Sequence, residues 1–252
     1  MSNNTHWPQG VGRILLDEVD STNAEAARIS SSLSGPTWIV AKKQTQGRGR
    51  RGRAWADPKG NFAGSLVMRP TESPDQISLR SFVASLALYD TLVDLRGRAD
   101  GLALKWPNDV LLNGGKIAGI LLESAGQGTS ISHFCIGIGV NLRETPNAQA
   151  LEATAHPPAS LEGDTGIVVS AEEFLDHLAP NYARYEAQFT TYGFDAIRSA
   201  WIARAAKIGE TITARTMRDE MVGRFETVDA QGNLVLEAAG QRHIIPAADV
   251  FF

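Results

Sequence analysis

The sequence predicts an α+β protein: helices packed on a largely antiparallel sheet, followed by a small β-barrel at the C-terminal end. Three observations carry that expectation. Helical and strand-sized runs alternate irregularly, and neighbouring strands are joined by hairpin signals such as Asn113-Gly114, which suits a type I′ turn. From residue 207 onward only strand-sized runs occur, separated by turns such as Gln231-Gly232-Asn233. A length of 252 residues suits one large domain over 1–206 and a small one over 207–252.

The elements follow in order. "STNAEAARISSSL" sets Thr22 and Glu25 at capping-box spacing and predicts a helix from 22 to about 33. "TWIVAKKQ" and "NFAGSLVM" read as strands. In "SPDQISLRSFVASLALYDTLVDL", Ser73 caps, Pro74 takes the first helical position and Gln76 completes the box. Apolar residues at 79, 82, 83, 86, 89 and 93 make this the long central helix. "LALKWPND" is a strand stopped by Pro107, "VLLNGGKIAGILLES" a hairpin, and "HFCIGIGVNL" a buried strand. A polar surface loop is expected over 144–168. Ser170 and Glu173 then box a helix to about 190, and another covers about 194–206. The barrel strands fall near 211–216, 221–228, 233–238 and 242–246.

Composition narrows the function. With 43% hydrophobic residues the chain has material for a core, and a net charge of -4 argues against a general nucleic-acid binder. The lone Cys135 can form no intrachain disulfide, the start "MSNNTHWPQG" has no apolar leader, and no run is long enough to span a membrane. A cytoplasmic protein without a membrane partner is expected.

Against that acidic background, "QGRGRRGRAW" stands out. Gly47, Gly49 and Gly52 let the backbone fold closely around a ligand, while Arg48, Arg50, Arg51 and Arg53 offer planar donor forks suited to phosphate and carboxylate. Trp55 could stack on a base. An exposed basic loop or an RNA-binding stretch fits the same residues. In the hairpin, a two-residue turn sets Leu111 opposite Lys116 and Asp109 opposite Ala118, which projects Asp109 and Lys116 from one face. An isolated pair of this kind also fits a surface salt bridge. In "CIGIGVN", Gly137 and Gly139 suggest that something packs directly on the strand backbone, and Asn141 could read an adenine edge; a helix crossing the sheet closely fits equally well. The five histidines show no metal spacing, and no metal-binding residues are expected.

Taken together, "DSTN" at 20–23, "QTQGRGRRGRAW" at 44–55, "KWPND" at 105–109, "GKIAGILLE" at 115–123 and "GIGVNL" at 137–142 closely resemble the biotin–protein ligases. The resemblance implies a catalytic domain related to class II aminoacyl-tRNA synthetases and a small Src-homology-3-like barrel. It implies that biotin and ATP, with Mg²⁺, give biotinyl-5′-AMP and pyrophosphate, and that a lysine of a biotin carboxyl carrier domain then takes the biotin. By matching motif, Ser21, Thr22, Asn23 and Gln44 would bind the ureido end of biotin. Arg48, Gly49 and Arg50 would lie along biotin and the acyl-phosphate. Arg48, Arg53 and Lys105 would contact ATP phosphates, and Trp55 and Asn141 would frame the adenine. Lys116 would contact the biotin carboxylate and the α-phosphate, and Asp109 would assist the incoming lysine. About twenty residues precede "STN", fewer than a helix-turn-helix needs, so no DNA partner is expected; a homodimer is left open. Two other readings stand beside this one: a lipoate or octanoate ligase of the same fold, and a non-catalytic nucleotide- or RNA-binding protein.

Overall fold

Strands β1 (Gly12–Leu16), β2 (Thr37–Ala41), β3 (Phe62–Met68), β4 (Leu102–Lys105), β5 (Asp109–Leu112), β6 (Gly115–Gln127) and β7 (Ser130–Val140) form one sheet in the computed structural model. The structure describes residues 6–56, 58–127, 130–146 and 157–252. Strand order is β1-β2-β3-β7-β6-β5-β4; only the β1/β2 pair is parallel, and every other neighbouring pair is antiparallel. A second, wholly antiparallel sheet follows, built from β8 (Thr211–Arg215), β9 (Glu220–Val228), β10 (Leu234–Ala238), β11 (Gln241–Ile245) and β12 (Asp249–Phe251) in the order β11-β10-β9-β8-β12. The fold is therefore α+β with a small C-terminal β unit, as the sequence predicts.

Strand alternation gives the large sheet two unlike faces. On one, Trp38, Val40, Phe62, Leu66, Ile136, Ile138 and Val140 meet α3 (Arg80–Arg96), α5 (Ala171–Tyr192) and α6 (Phe194–Ile202) in the main core. Aromatic edges lock this layer: Trp38 meets Tyr182 at 6.0 Å, and Phe82 sits 5.2 Å from Trp201 and 5.1 Å from Phe194. On the other face, α1 (Thr22–Ile29) sets Ala26 into a small cluster with Ile39, Val67 and Cys135. Burial pushes the Cys135 thiol up to about 12, so it is inert as a nucleophile. Another part of this face is the floor of a cavity.

Several elements differ from expectation. Helix α1 stops at Ile29 and continues as a 3₁₀ turn over Ser30–Ser32. Its N-cap is Ser21 rather than Thr22, and no capping box forms, because the Thr22 N–H donates instead to the Gln44 side chain and Glu25 pairs with Arg28. The long central helix is two, α2 (Pro74–Ser78) and α3, broken at Leu79, and the Ser73 hydroxyl makes no cap bond. Arg80 begins α3 and is buried on Glu186 and Glu72, at 2.7 and 2.6 Å. By contrast, the Ser170/Glu173 box at the start of α5 is fully formed. α6 ends at Ile202, four residues short of the expected 206. Strands β1 and β12 have no counterpart among the sequence-based expectations; both are short edge strands without a strong alternating pattern. Inside the expected 144–168 loop, Ser160 caps a short helix, α4 (Leu161–Thr165); residues 147–156 of that stretch lie outside the described residues.

Candidate active site

A cavity of about 470 Å³ lies over the glycine-rich part of the sheet, between α1, the arginine loop, the β5–β6 hairpin and β12. Every site residue named from the sequence lines it: Ser21, Thr22, Asn23, Gln44, Arg48, Gly49, Arg50, Arg53, Trp55, Lys105, Asp109, Lys116 and Asn141. Segments as far apart in sequence as Ser21 and Asn141 thus converge on one space, which an exposed basic loop or a tip-of-hairpin salt bridge would not do.

Glycine makes the floor possible. A β-carbon at Gly139 would stand 2.3 Å from the Trp55 ring, and one at Gly137 would stand 2.6 Å from the Asn23 side chain. Trp55 and Asn23, not a crossing helix, are what pack on these strands. Gly119 leaves room for the Lys116 chain, whose Nζ would lie 3.3 Å from an added β-carbon.

The hairpin turns at Asn113-Gly114, both in the left-handed region with φ of 51° and 80°. Leu111 pairs with Lys116 as expected, but Asp109 pairs with Gly119 rather than Ala118. A bulge between Val110 and Leu111 takes up one extra residue of β6, which the two-residue turn alone does not reveal. The acid and base still meet, with Lys116 Nζ 2.7 Å from Asp109 Oδ1. Lys116 Nζ also lies 5.6 Å from the centre of the Trp55 ring.

The arginine loop is closed on itself by backbone bonds, Gly49 N to Arg53 O at 2.7 Å and Trp55 N to Gly47 O at 2.9 Å. Arg51, at its tip, has φ of 57°. Arg48 reaches Glu123 at 3.6 Å, and Arg50 donates to Asn108 Oδ1 at 3.3 Å. Burial holds the Arg50 guanidinium below its ordinary range, against the pull of Asp249 and Asp109. Arg51 and Arg53 both donate to Asp249 Oδ2, at 2.6 and 2.5 Å. Lys105 is buried, and that burial lowers its pKa to about 8, with Asp109 opposing the shift and Lys116 adding to it.

At the α1 end the polar groups are closely connected. Gln44 Oε1 accepts from the Thr22 backbone at 2.9 Å, and Ser65 Oγ lies 2.7 Å from Thr22 Oγ1 and 2.5 Å from Asn23 Oδ1. Asn23 Nδ2 donates to Glu123 at 2.7 Å. Asn141 likewise spends its amide inside the protein, donating to the Ala159 carbonyl at 3.0 Å. Sequence reasoning missed Ser65, Asn108, Glu123 and Asp249. Glu123 ends the "GKIAGILLE" motif and Asn108 sits inside "KWPND", so both were in view. Nothing local marks Ser65 or Asp249.

Among the described residues no cluster of three or more His, Cys, Asp or Glu side chains could hold a metal ion, and no helix is long and apolar enough to cross a membrane.

The arrangement has recognisable counterparts. Residues 15–141 match the biotin/lipoate A/B protein ligase family, and residues 207–252 match the biotin protein ligase C-terminal domain. Over 238 residues, 94% of this chain and 99% of the relative, the sequence is 55% identical to a biotin–acetyl-CoA-carboxylase ligase of Paracoccus denitrificans. It is 30% identical to the ligase of the same name from Mycobacterium tuberculosis, covering 94% of this chain and 87% of that one. In fold it matches the biotin protein ligase of Aquifex aeolicus solved in complex with biotin and ATP, with a TM-score of 0.81 at 23% identity, over 95% of this chain and 97% of the other. The chain belongs to the biotin/lipoate A/B protein ligase family.

Proposed function

We infer that the protein is a biotin–protein ligase: it activates biotin with ATP to biotinyl-5′-AMP and then transfers the biotin to a lysine of a biotin carboxyl carrier domain. The observation that carries this reading is the joining, in one cavity, of a neutral hydrogen-bonding end at Thr22 and Gln44 with a cationic end at Arg50, Arg53, Lys105 and Lys116. The ureido ring needs the first, the carboxylate and triphosphate the second.

In the first step a biotin carboxylate oxygen attacks the α-phosphorus, and the bond from that phosphorus to the bridging oxygen breaks as pyrophosphate leaves. Two anions must approach, so fixed positive charge at the point of attack lowers the barrier. Lys116 supplies it from β6, held by Asp109 until substrate arrives. Arg50 and Lys105 contribute from half-dry positions, where their charge acts more strongly than in water. Mg²⁺ would be expected to accompany the nucleotide and to offset part of the charge on its phosphates. Trp55, lying over the glycine floor, offers a stacking face to the adenine.

In the second step the carrier lysine attacks the acyl carbon, AMP leaves, and the amine loses a proton. Asp109, once Lys116 has turned to the phosphate, stands ready to take the hydrogen bond of the entering amine. The Paracoccus relative's name points to acetyl-CoA carboxylase as the source of the carrier domain. A cytoplasmic location fits the single, buried, unpaired cysteine.

A lipoate or octanoate ligase would have little use for the polar end at Thr22 and Gln44. Exchange of labelled pyrophosphate into ATP, run with biotin, with lipoate and with neither, tests the assignment. Biotin alone should support exchange; exchange with lipoate instead would replace the reading, and exchange with no acid would overturn it.

A further inference from the structure

The bonds around Ser65 contain a proton count that fixes the character of the ureido end. Three oxygen contacts line up there: Thr22 Oγ1 to Gln44 Oε1 at 3.2 Å, Ser65 Oγ to Thr22 Oγ1 at 2.7 Å, and Ser65 Oγ to Asn23 Oδ1 at 2.5 Å. Only two hydroxyl protons, those of Thr22 and Ser65, are available for the three.

The allocation begins at Glu123. Its carboxylate accepts from Asn23 at 2.7 Å, so the amino side of the Asn23 amide must face it and the carbonyl side must face Ser65. Glu123 is itself drawn to Arg48 at 3.6 Å, as an ionised carboxylate would be. A carbonyl oxygen can only accept, hence the Ser65 proton goes to Asn23. Ser65 then has nothing left to give Thr22. The Thr22 proton must choose between Ser65 at 2.7 Å and Gln44 at 3.2 Å. Pointing it to Gln44 would leave two oxygens 2.7 Å apart with no proton between them, inside a site where Ser65 is fully buried and Thr22 nearly so. The proton therefore points inward to Ser65, and the longer contact to Gln44 goes without one. What Thr22 Oγ1 shows to the cavity is lone pairs only.

We propose that Ser65 and Glu123 are positioning residues that, acting through Asn23, hold the Thr22 hydroxyl as a pure acceptor and so make the enzyme select an N–H over an oxygen at that edge of the ligand ring. The inference rests on the placement of the ureido ring at Thr22 given above. Asn23 takes part as a relay: its carbonyl is occupied by Ser65, and its amino group by Glu123 with a long 3.5 Å approach to the Leu121 carbonyl. Gly137 is needed beneath it because any β-carbon there would strike the amide.

The test uses biotin and the two cyclic carbamates in which one or the other ureido N–H is replaced by oxygen, with Kd measured by calorimetry on the full chain. Wild type should bind one carbamate at least roughly 10- to 100-fold more weakly than biotin, the scale of an acceptor facing an acceptor in a buried site. In Ser65→Ala the Thr22 proton is released to turn outward and donate to a ring oxygen, so that ratio should fall below about tenfold, the lower end of the same range. Glu123→Leu, at a partly exposed position, should narrow the ratio in the same way by freeing the Asn23 amide. Glu123→Gln still offers an oxygen to Asn23 and should keep the wild-type ratio. ATP affinity should not change in Ser65→Ala, which separates this role from general damage to the fold. Thr22→Val should narrow the ratio, and adding Ser65→Ala to it should narrow it no further. If Thr22→Val narrows the ratio while Ser65→Ala and Glu123→Leu keep it, the proposal is wrong and the placement of biotin stands. If Thr22→Val changes neither biotin affinity nor the ratio, the placement itself is wrong.

Discussion

Asp249 Oδ2 takes hydrogen bonds from both Arg53, at 2.5 Å, and Arg51, at 2.6 Å, so that the last strand of the small sheet holds the tip of the arginine loop. The anchor sits on a hydrogen-bonded strand, and the anchored groups sit on a glycine-rich loop. A rigid carboxylate between two guanidinium groups fixes their geometry and offsets their mutual repulsion, and on the function proposed above it preorganises Arg53 for phosphate. Both arginines remain partly exposed, which limits the value of each pair. Asp249→Ala should raise KM for ATP by roughly five- to tenfold, the scale of weakening charge-assisted bonds near a surface, and leave KM for biotin unchanged. Steady-state exchange kinetics with each substrate varied would show this; a lower KM for ATP would mean that Asp249 competes with phosphate instead of positioning the loop.

Lys105 gives a pH dependence with a definite sign. Its pKa is lowered to about 8 by burial, so in the free protein the amine loses its proton as pH rises through about 8. ATP binding, which favours the cation, should therefore take up a proton near pH 8 and weaken above it. Calorimetry in buffers of different ionisation enthalpy measures the uptake, and Lys105→Met should abolish it. The same shift governs stability. The unfolded amine titrates near its ordinary 10.5, so folding expels its proton between about 8 and 10.5, and stability rises with pH across that window. Below about 8 the buried charge weighs against folding in full. Lys105→Met should accordingly raise Tm at about pH 7 while weakening ATP binding, and a lower Tm would contradict this.

Much of this was legible in the sequence, for physical reasons that differ by element. Ser170 and Glu173 form the box their spacing predicts because α5 starts at an exposed corner, where nothing competes for the groups. Thr22 and Glu25 have the same spacing and form none, because Gln44 and Ser65 from other elements claim Thr22 first. The residues that line the cavity were visible through short motifs, since glycines that permit close approach and clustered arginines leave dense local signals. Asp249 left none. It is one acidic residue among many until the fold carries it to Arg51 and Arg53, about 200 positions earlier.

Arg80 is a structural counterpart to the site's cations. Its side chain is 3% exposed and paired with Glu186 and Glu72, with Phe189 5.1 Å away on its face. Removing it leaves Glu186 and Glu72, whose side chains are 20% and 31% exposed, without their cation, so Arg80→Ala should lower stability by about 1–3 kcal/mol. Urea unfolding would register the loss, while KM for biotin and ATP should hold at wild-type values in the folded fraction.

Gly139 offers a steric test of the cavity floor. A β-carbon there would overlap the Trp55 ring at 2.3 Å, so Gly139→Ala must push Trp55 off the strand. Nucleotide binding should weaken by roughly 1–3 kcal/mol if the ring stacks on adenine, a loss that titration of Trp fluorescence with ATP would follow. Unchanged affinity would free Trp55 from that role.

We assign Lys116 to neutralise charge developing between the biotin carboxylate and the α-phosphate, with Asp109 holding it at 2.7 Å beforehand. The direct measurement is a rapid-quench single turnover with saturating biotin and ATP and no carrier protein, following biotinyl-5′-AMP in wild type and Lys116→Ala. Loss of one fixed electrostatic donor predicts adenylate formation slower by roughly 10²–10³. Adenylate appearing at the wild-type rate in Lys116→Ala would remove Lys116 from that role.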